Sequence, residues 1–309
     1  MNNKSFTLIE ILVVIVVIGV LSALILVGIN SITSNANIAK GKVFIVSMDN
    51  VLLLSKMSQW SFNELTTAKD TNTTLDSWGN NTATIYTGDA LEKLKNDCPT
   101  GKCLYFDGSD DYVQVAGSNV STSNLAITGA LTLSAWVKFS TASTDQSIAG
   151  RGEGMGTAGN YGYFLSRYSG NNFIVFDTYS STPARDGLDS TTAIADTSWH
   201  FVLGTWDGTT NSNGKKIYID GSLDSQKTST ISAIGQPNYY FRMGRESIQG
   251  WYPFSGSIDD VRVYNQAIPT SKIQQSYFVG LNNLYKNRGL TQIEYTQKLS
   301  EFKNNLTQD

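Results

Sequence analysis

Four regimes of hydrophobic patterning divide the chain. From Ile11 to Ile29 every residue except Ser22 is Ile, Leu, Val, Ala or Gly. With Phe6 to Glu10 ahead of it, the stretch reaches the roughly 20 residues a helix needs to cross a bilayer core. Ile32, Ala36, Ala39, Val43, Val46 and Leu53-Leu54 then recur at three- and four-residue steps, with Asn35, Lys40, Lys42 and Asp49 opposite. That spacing predicts that the helix continues as an amphipathic stem to residue 58. From Trp60 to Thr84 the pattern is polar and irregular, predicting extended loop with short strands.

Beyond it, period-2 segments bounded by Gly, Asp and Asn recur about every ten residues. In 131–139, Leu131, Leu133, Ala135, Val137 and Phe139 face one way and Thr132, Ser134, Trp136 and Lys138 the other. Further strands are predicted over 162–168, 172–179, 199–206, 216–219, 240–244 and 259–264, with tight hairpin turns at Asp207-Gly208 and Asp220-Gly221. Many short strands without intervening helices predict a two-sheet sandwich or jelly roll. After Pro269 the pattern is helical again. Ile273, Tyr277, Leu281 and Leu284-Tyr285 share a face, Arg288-Gly289 breaks it, and Thr291 with Glu294 forms a capping box for a second helix carrying Tyr295, Leu299 and Phe302. A helical hairpin outside the sandwich is expected, against the stem or a neighbouring head. The predicted class is α+β and mainly β, with a leader (1–5), a stem helix (6–58, of which 6–29 spans the membrane), a sandwich head (59–268) and a helical tail (269–309).

Glu10 is the anomaly in the first regime. An ionised carboxylate inside an apolar membrane helix costs about 2.5–3.5 kcal/mol even on insertion scales. A plain anchor gains nothing from it; a helix that meets a positive charge at the same depth does. Ser5-Phe6-Thr7-Leu8-Ile9-Glu10, with a short leader carrying Lys4 and a long β-branched helix containing Gly19, resembles the N-terminal signal of type IV pilins and pseudopilins. The resemblance implies that a prepilin peptidase cuts between Ser5 and Phe6, that the Phe6 amine is methylated, and that Glu10 neutralises the amine of a neighbouring subunit. Ser5 stands where the family has Gly, and Val27 where many pilins have Pro. A secretory signal peptide is excluded, because its apolar core is only about 7–15 residues. Lys4 sets the leader on the cytoplasmic side. The implied partners are copies of this chain and other pilins in a helical filament, the prepilin peptidase, and an assembly ATPase and platform supplied by other chains. The implied location is the inner membrane and then the cell surface.

The second resemblance lies in Leu104 to Val113 (LYFDGSDDYV), Leu131 to Val137, Trp199 to Gly208 (WHFVLGTWDG), Ile217 to Gly221, and Phe254 to Asn265 (FSGSIDDVRVYN). These blocks are similar, in order, to the laminin G-like, concanavalin A-like domain in its pentraxin-related form. That implies a jelly-roll sandwich in a family that often binds glycans or proteins and often holds calcium; it does not imply an enzyme.

Composition narrows the rest. A net charge of −3 gives no bulk electrostatic case for nucleic acid. Charged residues at 16%, with 27 Gly and 15 Tyr, fit a β-rich extracellular domain. Cys98 and Cys103 read as a small-loop disulfide in an exported protein, since no second Cys pair exists and the only His, His200, is remote. His200 has no histidine partner, and the glycines after Arg151 lack the Lys-Ser/Thr of a phosphate loop. Asp110-Asp111 and Asp259-Asp260 are neighbours in strands and point to opposite faces, so no acid/base couple emerges and no enzyme is expected.

Calcium suits these carboxylates better, because it takes six to eight oxygens (about) from carboxylates and carbonyls. Asp107 and Asp259 are the first candidate ligands and Asp76 the next. Asp259, on the face of Val261 and Val263, is expected to point inward and to need a metal or a ring of backbone N–H groups. Arg151, Tyr161, Trp251 and Tyr252 are the candidate glycan-binding residues, with Tyr163 and Tyr239-Tyr240 beside them, and sandwich core as the alternative role for each aromatic. The expected function is a filament subunit displaying a lectin-like head for adhesion to glycans or cell surfaces. The alternatives are a pseudopilin of a type II secretion system and a membrane-anchored carbohydrate-binding or carbohydrate-active protein.

Overall fold

The computed structural model describes residues 53–69, 71–88, 93–140, 144–152, 162–182, 184–235, 238–246 and 252–306. Ser5, Phe6, Glu10 and the predicted membrane-spanning run lie outside them. Among the described residues no helix is long and apolar enough to cross a membrane.

Two antiparallel sheets face each other. In chain order the strands are β1 (Lys56–Trp60), β2 (Thr73–Thr74), β3 (Ala83–Tyr86), β4 (Leu94–Lys95), β5 (Cys103–Asp107), β6 (Tyr112–Val115), β7 (Leu131–Phe139) and β8 (Gln146–Gly152). They continue with β9 (Gly162–Arg167), β10 (Phe173–Tyr179), β11 (Arg185–Ala193), β12 (Trp199–Trp206), β13 (Lys215–Ile219), β14 (Ser222–Lys227), β15 (Phe241–Met243) and β16 (Ser255–Tyr264). The first sheet runs β14-β13-β12-β7-β16-β5-β4, with β1 also paired to β16; the second runs β11-β10-β9-β8-β15-β6-β3-β2. The core between them is made by the alternating positions the pattern predicted. Leu131, Leu133, Ala135, Val137 and Phe139 of β7 meet Ile148, Leu165, Ile174, Phe176 and Met243 of the second sheet. Each such side chain, fully buried, contributes about 1.5–3 kcal/mol.

Three expectations need correction. The stem helix was expected to reach residue 58, but Lys56–Trp60 is a strand whose Ser58 to Trp60 pair with Val263 to Val261. This pairing satisfies its backbone and places Trp60 in the core, 5.3 Å from the Phe241 ring. Asp207-Gly208 does not make a tight hairpin, because β12 ends at Trp206 and β13 resumes only at Lys215. Asp220-Gly221 does: both have positive φ, and Ile219 pairs with Ser222 across them. Asp259 does not face the inter-sheet core. The register of β16 against β7 shifts between Asp259 and Arg262, and Asp260 takes φ 51°. This bulge leaves Asp259 opposite Trp136, on the outer face of the first sheet.

That outer face is where the tail goes. Helices α1 (Thr270–Lys286) and α2 (Gln292–Leu306) cover the sandwich of their own chain. Tyr277 of α1 stacks on Trp136 at 5.6 Å and meets Phe302 of α2 edge-on at 5.2 Å. Ile273, Leu281 and Leu284 are buried with it, so β7 is buried on both faces although its sequence alternates. The capping box forms as predicted: the Glu294 carboxylate accepts from the Thr291 N–H at 2.8 Å, and the Thr291 hydroxyl accepts from the Glu294 N–H at 3.3 Å.

Polar clamps complete the assembly. The Cys98–Cys103 disulfide closes, and inside its loop Thr100 donates its N–H (2.8 Å) and its hydroxyl (2.9 Å) to the buried Asp259. At the opposite edge, Asp186 of β11 ties the two sheets together through Lys215 of β13 (3.2 Å) and Lys227 of β14 (2.7 Å). The third clamp is His200. Its Nδ1 lies 2.8 Å from Asp220 and its Nε2 3.1 Å from Asp196, while Lys298 of α2 approaches Asp220 at 3.6 Å. Burial alone would lower the His200 pKa, but the Asp220 carboxylate and the hydrogen bonds from Asp196 and Asp220 raise it from 6.5 to about 9. A raised histidine pKa gives stability that is whole below pH about 6.5 and lost as pH rises through about 9. Urea titrations should therefore show a gap between wild type and His200→Asn of about 2–3 kcal/mol at pH 6 that closes by pH 9.5.

Candidate functional site

The outer face of the second sheet carries a different kind of surface. In β9 and β10, Tyr163, Leu165, Ile174 and Phe176 point into the core, so Phe164, Ser166, Val175, Asp177 and Tyr179 point away from it. Ser147 sits directly opposite Ser166, and Phe164 opposite Asp177. Phe164 and Tyr179 meet edge-on at 6.2 Å. Together Ser147, Ser166, Phe164, Asp177 and Tyr179 make one contiguous patch across three strands.

Two glycines within strands create the room for it. A Cβ at Gly150 would lie 2.4 Å from the Phe164 ring, and one at Gly187 would lie 2.6 Å from Asp177 Oδ1 and 2.7 Å from the Arg185 guanidinium carbon. The ring and the Asp177–Arg185 ion pair therefore lie flat across the sheet backbone. Arg185 Nε is 2.8 Å from Asp177 Oδ1, and its Nη2 donates to the Tyr168 hydroxyl at 3.0 Å.

The polar atoms of the patch are buried yet incompletely paired. Ser147 Oγ, Ser166 Oγ, Asp177 Oδ2 and Tyr179 Oη have no hydrogen-bond partner among the described residues. Each buried, unsatisfied group costs about 1–3 kcal/mol, so four cost about 4–12 kcal/mol. Whole domains are stable by only about 5–15 kcal/mol. These atoms are closed to solvent, so the row is a cost carried beneath this face, and the part of the face open to a ligand is the rim at Tyr168, Arg185 and Tyr252. Burial raises the Asp177 carboxyl above the usual range, against the pull of Arg185. Burial raises the Tyr179 hydroxyl as well, with Asp177 reinforcing it. At the rim, Tyr168 is half-buried with its pKa pushed up to about 12 by burial and then by Asp177.

The residues expected to bind a ligand divide three ways. Tyr252 borders the patch, its carbonyl accepting the Ser147 N–H at 2.9 Å. Arg151 does not belong to it: fully buried, its guanidinium donates to the Ser118 carbonyl at 2.9 Å and the Val120 carbonyl at 3.1 Å, holding a loop. Tyr163 is core, donating to the Leu125 carbonyl. Tyr161 and Trp251 lie outside the described residues.

The expected calcium ligands do not converge. Asp76 accepts the backbone N–H groups of Gln59, Trp78 and Asn81, and Asp259 is held by Thr100. Asp107 does gather with Asp110 and Asp111, with oxygens within 4.8 Å of one another. Lys93 Nζ, however, already stands 3.1 Å from Asp107 and 3.0 Å from Asp111 and supplies the positive charge there. Asp76 and Asp259 thus hold structural hydrogen bonds, while Asp107 shares an acidic cluster in the turn with Asp110 and Asp111.

The family model of the concanavalin A-like lectin/glucanases superfamily matches residues 107–274. The chain belongs to that superfamily. The prokaryotic N-terminal methylation motif matches residues 1–26, which carry Phe6 and Glu10. No curated protein matches the chain in sequence. Among solved structures, domain 4 of AbnA, a GH43 extracellular arabinanase from Geobacillus stearothermophilus, in complex with arabinotriose, is 19% identical with a TM-score of 0.52, covering 72% of this chain and 98% of its own. Trypanosoma rangeli sialidase in complex with sialic acid is 15% identical with a TM-score of 0.51, covering 75% of this chain and 34% of its own. The botulinum neurotoxin serotype D ligand-binding domain in complex with N-acetylneuraminic acid is 17% identical with a TM-score of 0.53, covering 75% and 52%. The chain thus spans about a third of the sialidase and about half of the toxin domain, and these likenesses establish the fold.

Ser147, Ser166, Asp177, Tyr179 and Arg185 were not among the sequence candidates. The signal that could have found them is a glycine inside a strand, which marks close approach of other groups to the backbone, at Gly150 and Gly187.

Proposed function

We propose that this chain is a type IV pilin-like subunit whose sandwich head binds carbohydrate on the outer face of its second sheet, and that the filament displays the head at the cell surface for adhesion. The observation that carries the binding half is the open rim of that face, where the Arg185 side chain, 41% exposed, donates to the Tyr168 hydroxyl at 3.0 Å. The rim offers a guanidinium and phenol hydroxyls together with the partly exposed rings of Tyr168 and Tyr252. Sugars, with many hydroxyls and apolar ring faces, match such a surface. The methylation motif supports the filament half and its implied partners, other pilins and a prepilin peptidase.

The test for the head is full-length protein in detergent micelles on a glycan array, beside Asp177→Ala and Gly187→Ala. Wild type should retain at least one glycan class, and each variant should weaken retention by roughly tenfold or more, the effect of losing about 1.4 kcal/mol of binding. Retention of no glycan, or of the same glycans equally by all three proteins, would remove the site from this face. Turnover of glycosidase substrates would favour the carbohydrate-active alternative instead. For the filament, protein sheared from cells should begin at Phe6 and carry one methyl group by intact mass.

A further inference from the structure

We infer that a pocket at the start of α1, on the outer face of the first sheet, binds a single carboxylate flanked by hydroxyls, the group a uronic acid carries. It lies on the other sheet from the Tyr168–Arg185 rim and stands whether or not that rim binds sugar.

Val202 and Trp206 of β12 and Ile217 of β13 point into the core, so Thr205, Lys216 and Tyr218 point outward. The register sets Thr205 between Thr132 of β7 and Lys216 of β13, a polar row across three strands. Thr132 is spent on the chain leading into α1. Its hydroxyl donates to the Gln266 carbonyl at 2.7 Å and accepts the Ile268 N–H at 3.1 Å. The Tyr218 hydroxyl lies 3.0 Å from Thr270 Oγ1 and pins the first turn of α1 beside the row. Between this linker, the helix start and the 207–214 loop lies a pocket of about 340 Å³, with Thr205, Asp207, Lys216 and Thr270 in its lining.

The donors of this pocket are unspent. Thr205 is only 3% exposed and lines the pocket, yet its hydroxyl makes no hydrogen bond among the described residues. Lys216 makes neither a hydrogen bond nor an ion pair among them. Pro269, at the cap of α1, brings no side chain to the first-turn N–H groups, and that turn holds no acidic residue. A buried hydroxyl, an ammonium and the positive end of a 17-residue helix together fit an oxyanion.

Asp207 limits what enters. It stands exposed at the mouth, its Oδ1 accepting the N–H and the hydroxyl of Thr209, each at 2.9 Å. A carboxylate there repels a second negative charge and accepts a hydroxyl. The pocket is therefore matched to a monoanion with a hydroxyl beside it, and not to a dianion.

The experiment follows the melting temperature of the full-length protein in detergent micelles against sodium glucuronate, glucose, sodium lactate and sodium sulfate at constant ionic strength. Glucuronate should raise it and saturate in the millimolar range, while glucose should not. An equal response to lactate would support the carboxylate site and leave the sugar ring outside it. Lys216→Met and Thr205→Val should each raise the half-saturating concentration roughly tenfold, the loss of one hydrogen bond to a charged group. Asp207→Asn should admit sulfate several-fold better, and Arg185→Ala at the rim should change nothing. A rise that never saturates, or is shared equally by wild type and both pocket variants, is the general effect of excluded salts and would overturn the site. Loss of the response in Arg185→Ala would move the carboxylate to the rim and overturn it too. Should a variant fail to fold, wild type alone overturns the site if glucuronate does no more than glucose.

Discussion

Asp186→Ala should destabilise the head by about 3–5 kcal/mol, as expected when one partner of a buried charge pair is removed. The residue stitches the edge strands of both sheets. Its Oδ2 meets Lys215 Nζ at 3.2 Å, its Oδ1 meets Lys227 Nζ at 2.7 Å, and it accepts from Ser229 Oγ at 2.8 Å and Thr230 Oγ1 at 3.0 Å. Burial would raise its carboxyl, but Lys215, then Lys227, Ser229 and Thr230, hold it well below the usual range. Lys215 is fully buried as well, with Thr178 Oγ1 and the Asp186 carbonyl as its other acceptors. Removing Asp186 therefore strands an ammonium inside the sandwich. Lys215→Met should cost less, because Asp186 would keep Lys227, Ser229 and Thr230 and the Met side chain would fill the space beside Phe176, whose ring lies 5.0 Å from Lys215 Nζ. Urea unfolding of the two variants beside wild type gives the order. Equal losses, or a larger one for Lys215→Met, would contradict this account of the edge.

Glu10→Ala should leave membrane insertion intact or improved and abolish filaments. In the proposed processing, cleavage leaves a charged amine at Phe6, at the start of the same apolar run that holds Glu10. Head-to-tail contacts between identical subunits build an open helical assembly. In it the amine of an incoming subunit meets Glu10 of one already placed, and losing the carboxylate leaves that amine buried and unpaired, again about 3–5 kcal/mol. Glu10→Val should behave alike, since charge and not volume is removed. Electron microscopy of cells carrying either variant as their only copy reads the outcome. Wild-type numbers of filaments would show that the run is an anchor alone, and the filament half of the proposed function would fall.

What the sequence by itself determined follows from local periodicity and from fixed motifs. Alternation in 131–139 named the core side chains of β7 correctly, because one face of any strand must meet the opposing sheet whatever the rest of the chain does. Thr291 and Glu294 announced a helix start because a capping box closes within one turn. The N-terminal methylation motif was legible because membrane chemistry makes the Glu10 carboxylate conspicuous in an apolar run. Proximity in the chain also suggested the Cys98–Cys103 bridge.

Only the tertiary structure decided the rest. The bulge at Asp260 turns Asp259 away from the inter-sheet core, and no periodicity argument survives one inserted residue. Lys56–Trp60 became a strand because β16 offers it a partner some 200 residues away in sequence (about),. The candidate site was hidden for a related reason. Every residue of β9, and nearly every residue of β10, is buried, so alternation no longer separates a core face from a functional one. Ser147, Ser166, Asp177 and Tyr179 come from three strands, and each is unremarkable alone. What distinguishes them is that the sheet sets them side by side over two glycines with their polar atoms unpaired, a property of the assembled surface that no single segment contains.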